Sequence, residues 1–347
     1  MFRSLIRKVI IHIEKKFHIF FNKLIFKKSN SFVGVDYDNY FKQVRENYKD
    51  IDNPFWYYEK LVDDLLNIED VEILPLKEFV KKDNSGKIQI GFRHDIDADP
   101  ITAVRCARAL AQRGLSGSFY FLHSALYYGE FYNNVFVRNP QVVDWVKQIV
   151  IAGSEIGIHN DAIGISKNHK IDGIKHLETE INWMRSIGTN IYGTVAHNNF
   201  LLHNAENYEI FKEHQLFKRN FLWKFLNNIG KVTKEPFGLE YEGTFAKEKL
   251  IMNKQSIKKY VDKYKNTASK KEWMYEYFFN NPINDWSCEI QIWIVGKNKW
   301  IIASKQNEKN IFEYDVPLSK VVDFIKNDIQ VSSSILFVLH PEYFGGR

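Results

Sequence analysis

The stretch Ile88-Gln-Ile-Gly-Phe-Arg-His-Asp-Ile-Asp97 begins as an alternating apolar run and ends in one Arg, one His and two Asp. Ile88, Ile90 and Phe92 fall two apart, so in extended backbone they share one face of a β-strand. Asp95 and Asp97 are also two apart and therefore point the same way. Two carboxylates aimed at one spot repel unless a cation or a shared proton lies between them, which is how metal sites and acid/base pairs are built. A solvated, aspartate-rich turn after a strand is the plain alternative.

Three further segments repeat the pattern. Glu155-Ile-Gly-Ile-His159 is a short apolar strand that ends at His159 and is followed by Asn160 and Asp161; Ile191-Tyr-Gly-Thr-Val-Ala-His197 ends at His197; Ile335-Leu-Phe-Val-Leu-His340 ends at His340, before Pro341 and Glu342. A lone histidine at a strand end is more often a hydrogen-bonded structural residue than a ligand. Four strands in series that each deliver a ligand-type side chain at the C-terminal end match the place where parallel α/β folds put their sites. Between the strands the pattern is helical. Asp99-Pro100 starts a helix that stops at Gly114, and helices over about 140–152 and 172–187 stop at Gly153 and Gly188. Strand–helix alternation of this kind predicts an α/β fold.

Arg93-His-Asp-Ile-Asp97, Gly153-Ser-Glu-Ile-Gly-Ile-His159 and Leu339-His-Pro-Glu342 together resemble the polysaccharide deacetylase superfamily (NodB-homology domain, carbohydrate esterase family 4). The closer likeness is to its divergent branch with Arg-His-Asp-Val-Asp at the first motif, and it spans roughly Ile88 to Pro341. The resemblance implies a distorted (β/α)7-type barrel in which a divalent metal activates water to remove an acetyl group from a sugar. It implies Asp95 as general base, Asp97 and His159 as metal ligands, and His340 as the group that protonates the leaving group. The chain also departs from the family. Ile96 separates aspartates that are usually adjacent, Ile163 stands where a second ligand histidine is expected, and Thr194-Val-Ala-His197 replaces a segment that usually carries an arginine. His197 is the first candidate for the third ligand and Asp161 the second.

Zinc chemistry agrees with that set, since a catalytic zinc takes three protein ligands and keeps one position for water. Asp97, His159 and His197 would supply the three, and the bound water would ionise near pH 7. A carboxylate that raised the pKa of His340 would let it donate a proton at neutral pH. Arg93 and His94 are expected to pair with the carboxylates and hold them in place.

At 347 residues the chain exceeds the roughly 250 that an α/β barrel needs. A single barrel over 31–347 is expected, with its core at about 86–230 and 316–341 and decoration at about 231–315. Cys288–Val295 and Trp300–Ser304 alternate with period two around Gly296-Lys-Asn-Lys299 and predict an antiparallel β insertion. Trp145, Trp183, Trp286 and Trp293 offer sugar-stacking faces, although each is more often core or interface packing.

Charge is uneven along the chain. Residues 1–28 carry eight basic residues against Glu14, which leaves 40 basic and 41 acidic residues in the rest. Phe2, Leu5, Ile6, Val9, Ile13, Phe17, Phe20 and Leu24 lie there at helical spacing, so residues 1–30 are expected to form a cationic amphipathic helix. Such a helix rests on an anionic membrane surface or packs on the barrel with its charges in water. Charges interrupt every apolar run well short of the roughly 18 residues of a membrane span, and no secretory cleavage site follows. A cytoplasmic protein at the inner face of the membrane is the resulting expectation. Its two cysteines are too few for a disulfide framework. No nucleic-acid partner is expected, because the body of the chain is near neutral. The expected partner is a carbohydrate, a soluble or lipid-linked intermediate of surface-polysaccharide biosynthesis. Two rivals remain: a catalytically inactive barrel that binds glycan precursors or scaffolds their assembly, and a metal hydrolase of another C–N bond.

Overall fold

The computed structural model describes residues 35–81, 86–132, 135–197, 206–212, 225, 229–234, 237–244, 290–306 and 309–346. The segment 1–30 expected as an amphipathic helix lies outside them, as do Trp286 and Cys288. Two helices, α1 (Tyr37–Tyr48) and α2 (Phe55–Leu66), lead into β1 (Val71–Leu74), the one-turn α3 (Leu76–Phe79) and β2 (Ile88–Ile96). Then come α4 (Pro100–Ala111), β3 (Ser118–Leu122), the hairpin strands β4 (Gly129–Tyr132) and β5 (Val135–Arg138), α5 (Gln141–Ile151) and β6 (Glu155–Asn160). α6 (Ala162–His169), α7 (Gly173–Ser186), β7 (Ile191–Ala196) and a short 3-10 turn at Asn207–Ile210 follow. The chain closes with β8 (Tyr241–Glu242), β9 (Ile290–Gly296), β10 (Lys299–Gln306), β11 (Lys309–Val316), α8 (Leu318–Asp328), β12 (Ser334–Leu339) and a second 3-10 turn at Pro341–Phe344.

The helix signals in the sequence act as written. Asp99 caps α4 by accepting from the Thr102 amide (3.0 Å) and the Thr102 hydroxyl (2.7 Å), with Pro100 in the first turn. Asp172 caps α7 through the amides of Ile174 and Lys175. Among the described residues no helix is long and apolar enough to cross a membrane.

Among the described residues, ten strands form one sheet in the order β11-β10-β9-β12-β2-β3-β6-β7-β8, with β1 pairing the first half of β2, while β4 and β5 pair only with each other. All contacts from β9 through β12, β2, β3, β6 and β7 to β8 are parallel, while β10 and β11 continue antiparallel from β9. The fold is thus a mixed α/β structure with a large, mostly parallel sheet. The expected antiparallel pair appears as β9 and β10, but β9 lies alongside β12, so the pair extends the main sheet. β8 also comes from the 231–315 stretch read as decoration, and it pairs with β7.

Side-chain alternation sorts the strands' residues onto two faces. Ile90, Phe92, Phe119, Phe121, Ile156, Ile158, Ile292 and Phe337 join the apolar sides of the helices in the larger core. Tyr120, Val195, Tyr241, Leu336 and Val338 face the other way and pack with Leu74, Leu76 and Phe79 from β1 and α3. Two glycines make room on that second face. A Cβ at Gly193 would collide with the Tyr241 ring, and one at Gly157 would strike the Tyr120 ring and lie 2.9 Å from the Gly193 carbonyl oxygen. Neither ring is free to swing aside, because the two hydroxyls share a 2.7 Å hydrogen bond and Tyr241 also donates to Glu155. Gly193→Ala is therefore expected to cost about 3 kcal/mol, the upper part of the usual overpacking range. Urea denaturation checks this, and a midpoint equal to wild type would contradict the packing described.

Candidate metal and hydrolytic site

The second face continues to the C-terminal ends of the parallel strands, and the site is built there. Arg93, Asp95 and Asp97 share the parity of Gly91 on β2; His159 follows Gly157 on β6; His197 follows Val195 past β7; His340 follows Val338 past β12. Parallel register brings these ends level, with Leu122 opposite His159 and His159 opposite Val195.

Ligand-type atoms of Asp97, His159 and His197 all lie within 4.8 Å of one another. His159 Nε2 is 3.3 Å from Asp97 Oδ1 and 3.7 Å from Asp95 Oδ2. On its other side, Nδ1 lies 3.1 Å from the carbonyl oxygen of Val195. A carbonyl only accepts, so Nδ1 carries a proton and Nε2 is the ring nitrogen turned to the two carboxylates. Two imidazoles and a carboxylate that converge in this way suit a shared proton or a bound cation. Asp97 Oδ1 is a buried atom without a hydrogen-bond partner, which fits the same conclusion. The donor set is one carboxylate and two imidazoles, and it suits a divalent transition ion such as zinc. Burial opposes charge on Asp97, but His159, His340 and His197 outweigh it and hold its carboxyl well below the usual range.

Asp95 lies deeper. Arg93 donates to both its oxygens, Nε to Oδ1 at 2.7 Å and a terminal nitrogen to Oδ2 at 2.5 Å, and both side chains are buried. Burial disfavours the ionised Asp95, yet Arg93 and then His159 more than compensate and lower its pKa. Arg93 also donates to the Thr244 carbonyl (3.2 Å), which anchors it to the chain beyond β8. The arginine that meets the expected base thus comes from two residues up the same strand, in a chain without arginine in the third motif.

His340 Nε2 is 3.8 Å from Asp97 Oδ2, so the two oxygens of Asp97 face different histidines. The side chains of Asp97, His197 and His340 are 29, 29 and 23% exposed, whereas Asp95 and His159 are each 3% exposed, so solvent reaches the cluster from the Asp97 side. The expectation that a carboxylate raises the pKa of His340 is corrected. Burial dominates and lowers it despite Asp97 and Asp95.

His94 is a second correction. It occupies the opposite face of β2, accepts from the Tyr58 hydroxyl at Nε2 (2.9 Å), donates from Nδ1 to the Ser118 carbonyl (3.2 Å) and stacks on Phe119 at 4.1 Å. Burial pushes its pKa down to about 3. One residue along a strand reverses the side chain, which separates His94 from the carboxylates that Arg93 reaches.

Asp161 stands behind His197 rather than in the three-residue cluster, with Oδ1 3.9 Å from His197 Nδ1. Burial works against both charges. His197 nonetheless holds the Asp161 pKa down to about 2, and Asp161, Asp97 and Asp95 raise that of His197 to about 9. Three residues carry parts of this site without having been assigned a role from the sequence. His123 accepts from the Asp161 amide at Nε2 (2.8 Å), Asn207 bridges Asp161 and His197, and Glu342 is a buried carboxyl that burial, aided by Asp97, pushes well above its ordinary value. His123 had a usable signal, since it follows the apolar strand Ser118–Leu122 as the other histidines follow theirs. Asn207 had none. Of the tryptophans, Trp145 is core, Trp183 packs on Tyr128 under Arg138, and Trp293 is half-buried against the second-face cluster.

Set against known proteins, the chain matches no family model, no curated protein and no solved structure.

Proposed function

We propose that this chain is a metal-dependent hydrolase of the polysaccharide deacetylase type, built on a distorted barrel, that removes an acetyl group from an amino sugar or glycan intermediate. The observation that carries the reading is His159 Nε2, turned by the Val195 carbonyl towards Asp97 and Asp95, with His197 beside it. Ligand-type groups at the C-terminal ends of successive parallel strands also suit a barrel.

Asp97, His159 and His197 would hold a divalent ion, which when bound would supply positive charge to make a water more acidic and a carbonyl more electrophilic. Asp95, kept ionised by Arg93, accepts the proton that the attacking water loses. The bidentate grip fixes the direction of that carboxylate, so no reorganisation is needed as the proton arrives. His340, after taking up a proton from solvent, delivers it to the amine nitrogen as the C–N bond breaks, giving acetate and the free amino sugar. General acid/base help of this type is worth about 10² to 10⁴ in rate. A non-catalytic glycan-binding barrel is the competing reading, and one observation favours it: Arg93 engages both oxygens of the proposed base.

Elemental analysis of protein purified without a metal-affinity tag tests the proposal. Wild type is expected to hold about one equivalent of a divalent ion that His159→Ala loses, and to release acetate from N-acetylated amino sugars. Folded wild type that takes up no ion even with added zinc would sink the hydrolase. Metal without acetate release would favour the binding barrel or hydrolysis of another amide, and cyclic and linear amides would be the next substrates.

A further inference from the structure

We propose that Asn207 is the positioning residue of this metal site, acting through His197 and Asp161. The inference rests on the metal-binding part of the reading above and does not depend on hydrolysis. His197 lies just past the end of β7, and its amide still bonds to the Asn160 carbonyl (2.9 Å). Its own carbonyl is taken by Asn207 Nδ2 at 2.7 Å. The same nitrogen lies 3.3 Å from Asp161 Oδ1. Asn207 Oδ1 accepts from the Ile163 amide in the first turn of α6 (2.8 Å), and the Asn207 carbonyl accepts from Asn160 Nδ2 (3.1 Å). The residue is wholly buried.

A side-chain amide has two N–H groups and one acceptor oxygen. Here the two hydrogens serve the His197 carbonyl and the Asp161 carboxylate, and the oxygen serves α6. One side chain therefore sets the end of β6, the end of β7 and the start of α6 relative to each other. Asp161 is gripped from its remaining sides by the Ser124 hydroxyl (2.6 Å, on Oδ2) and by His123, which accepts from its amide. The outcome is a carboxylate held 3.9 Å from a ring nitrogen of His197. A carboxylate behind a metal-binding imidazole fixes its orientation and raises its basicity, and loss of such a partner typically weakens metal binding by about 10- to 100-fold. A ligand beyond the end of a strand gains most from that anchor, because otherwise its backbone and ring must be ordered when the ion binds.

Cobalt(II) titration of the full chain, followed by chelator competition and visible absorption, tests the assignment in wild type, Asn207→Asp, Asp161→Asn and the double variant. Asn207→Asp keeps the acceptor for Ile163 and loses both donors; Asp161→Asn keeps the shape and loses the charge. Each single variant is expected to bind cobalt about 10- to 100-fold more weakly, with an altered absorption band. The double variant should bind no more weakly than the worse single one, because both act through one contact. Affinities within about threefold of wild type, or losses that multiply, overturn the assignment while leaving the metal site intact. If Asn207→Asp fails to fold, Asp161→Asn decides alone. Wild type that takes up no cobalt overturns the metal site and this assignment together.

Discussion

Asp97→Ala is expected to purify without the proposed divalent ion and without the proposed deacetylase activity, whereas Asp95→Asn is expected to keep the ion and lose about 10² to 10⁴ in kcat. The difference follows from position. Asp97 presents an unpartnered oxygen to His159 and belongs to the cluster with His197. Asp95 has both oxygens on Arg93, so its removal takes away a proton acceptor and leaves the three ligand atoms where they are. Metal content and turnover measured on the same preparations check the split. Equal retention of metal by the two variants would contradict it.

Arg93→Met is expected to destabilise the metal-free protein by about 3 to 5 kcal/mol at neutral pH, the usual cost of stripping the partner from a buried charge. Asp95 is 2% exposed and Arg93 5%, so water screens neither. The sign of the pH dependence follows from linkage. The folded-state pKa of Asp95 is lowered, so its pairing contributes stability above the unfolded value of about 3.9 and loses it as pH falls through the folded value. In the variant, burial without the guanidinium raises that pKa, and the carboxyl escapes the penalty once protonated. The gap between wild type and variant should be widest near pH 7 and narrow as pH falls towards 4. Urea unfolding at the two pH values measures it. A gap independent of pH would mean that Arg93 stabilises by packing alone. The same substitution should also move the acid limb of kcat/KM upward, because the proposed base then protonates at higher pH.

The three substituted residues come from one stretch of sequence. That Arg93, Asp95 and Asp97 act on one side follows from period-two alternation, which is legible in the stretch around Ile88. The same rule sends His94 to the other side, where it bonds to Tyr58 and the Ser118 carbonyl and does not pair with the carboxylates. Strand ends at His159, His197 and His340 were legible because apolar runs and the following polar residues mark them. So were the starts of α4 and α7, because Asp99 and Asp172 cap their own helices through contacts two or three residues away.

Other features depend on register between strands and on what packs across them. His197 rather than Asp161 completes the ligand cluster because β7 lies beside β6 with Val195 opposite His159, a pairing between segments 36 residues apart. Asn207 joins the site only because the turn at Asn207–Ile210 returns to the ends of β6 and β7. β9 belongs to the main sheet because β12, from the far end of the chain, lies next to it. The lowered pKa of His340 follows from burial that no spacing expresses. The sequence by itself determined the strands, their faces, the caps and the residues that reach the sheet's C-terminal edge, since each is decided by geometry within a few residues. The tertiary structure alone decided which of those residues meet, which stand behind another, and how their charges settle, because distances and desolvation between remote segments arise only once the sheet has assembled.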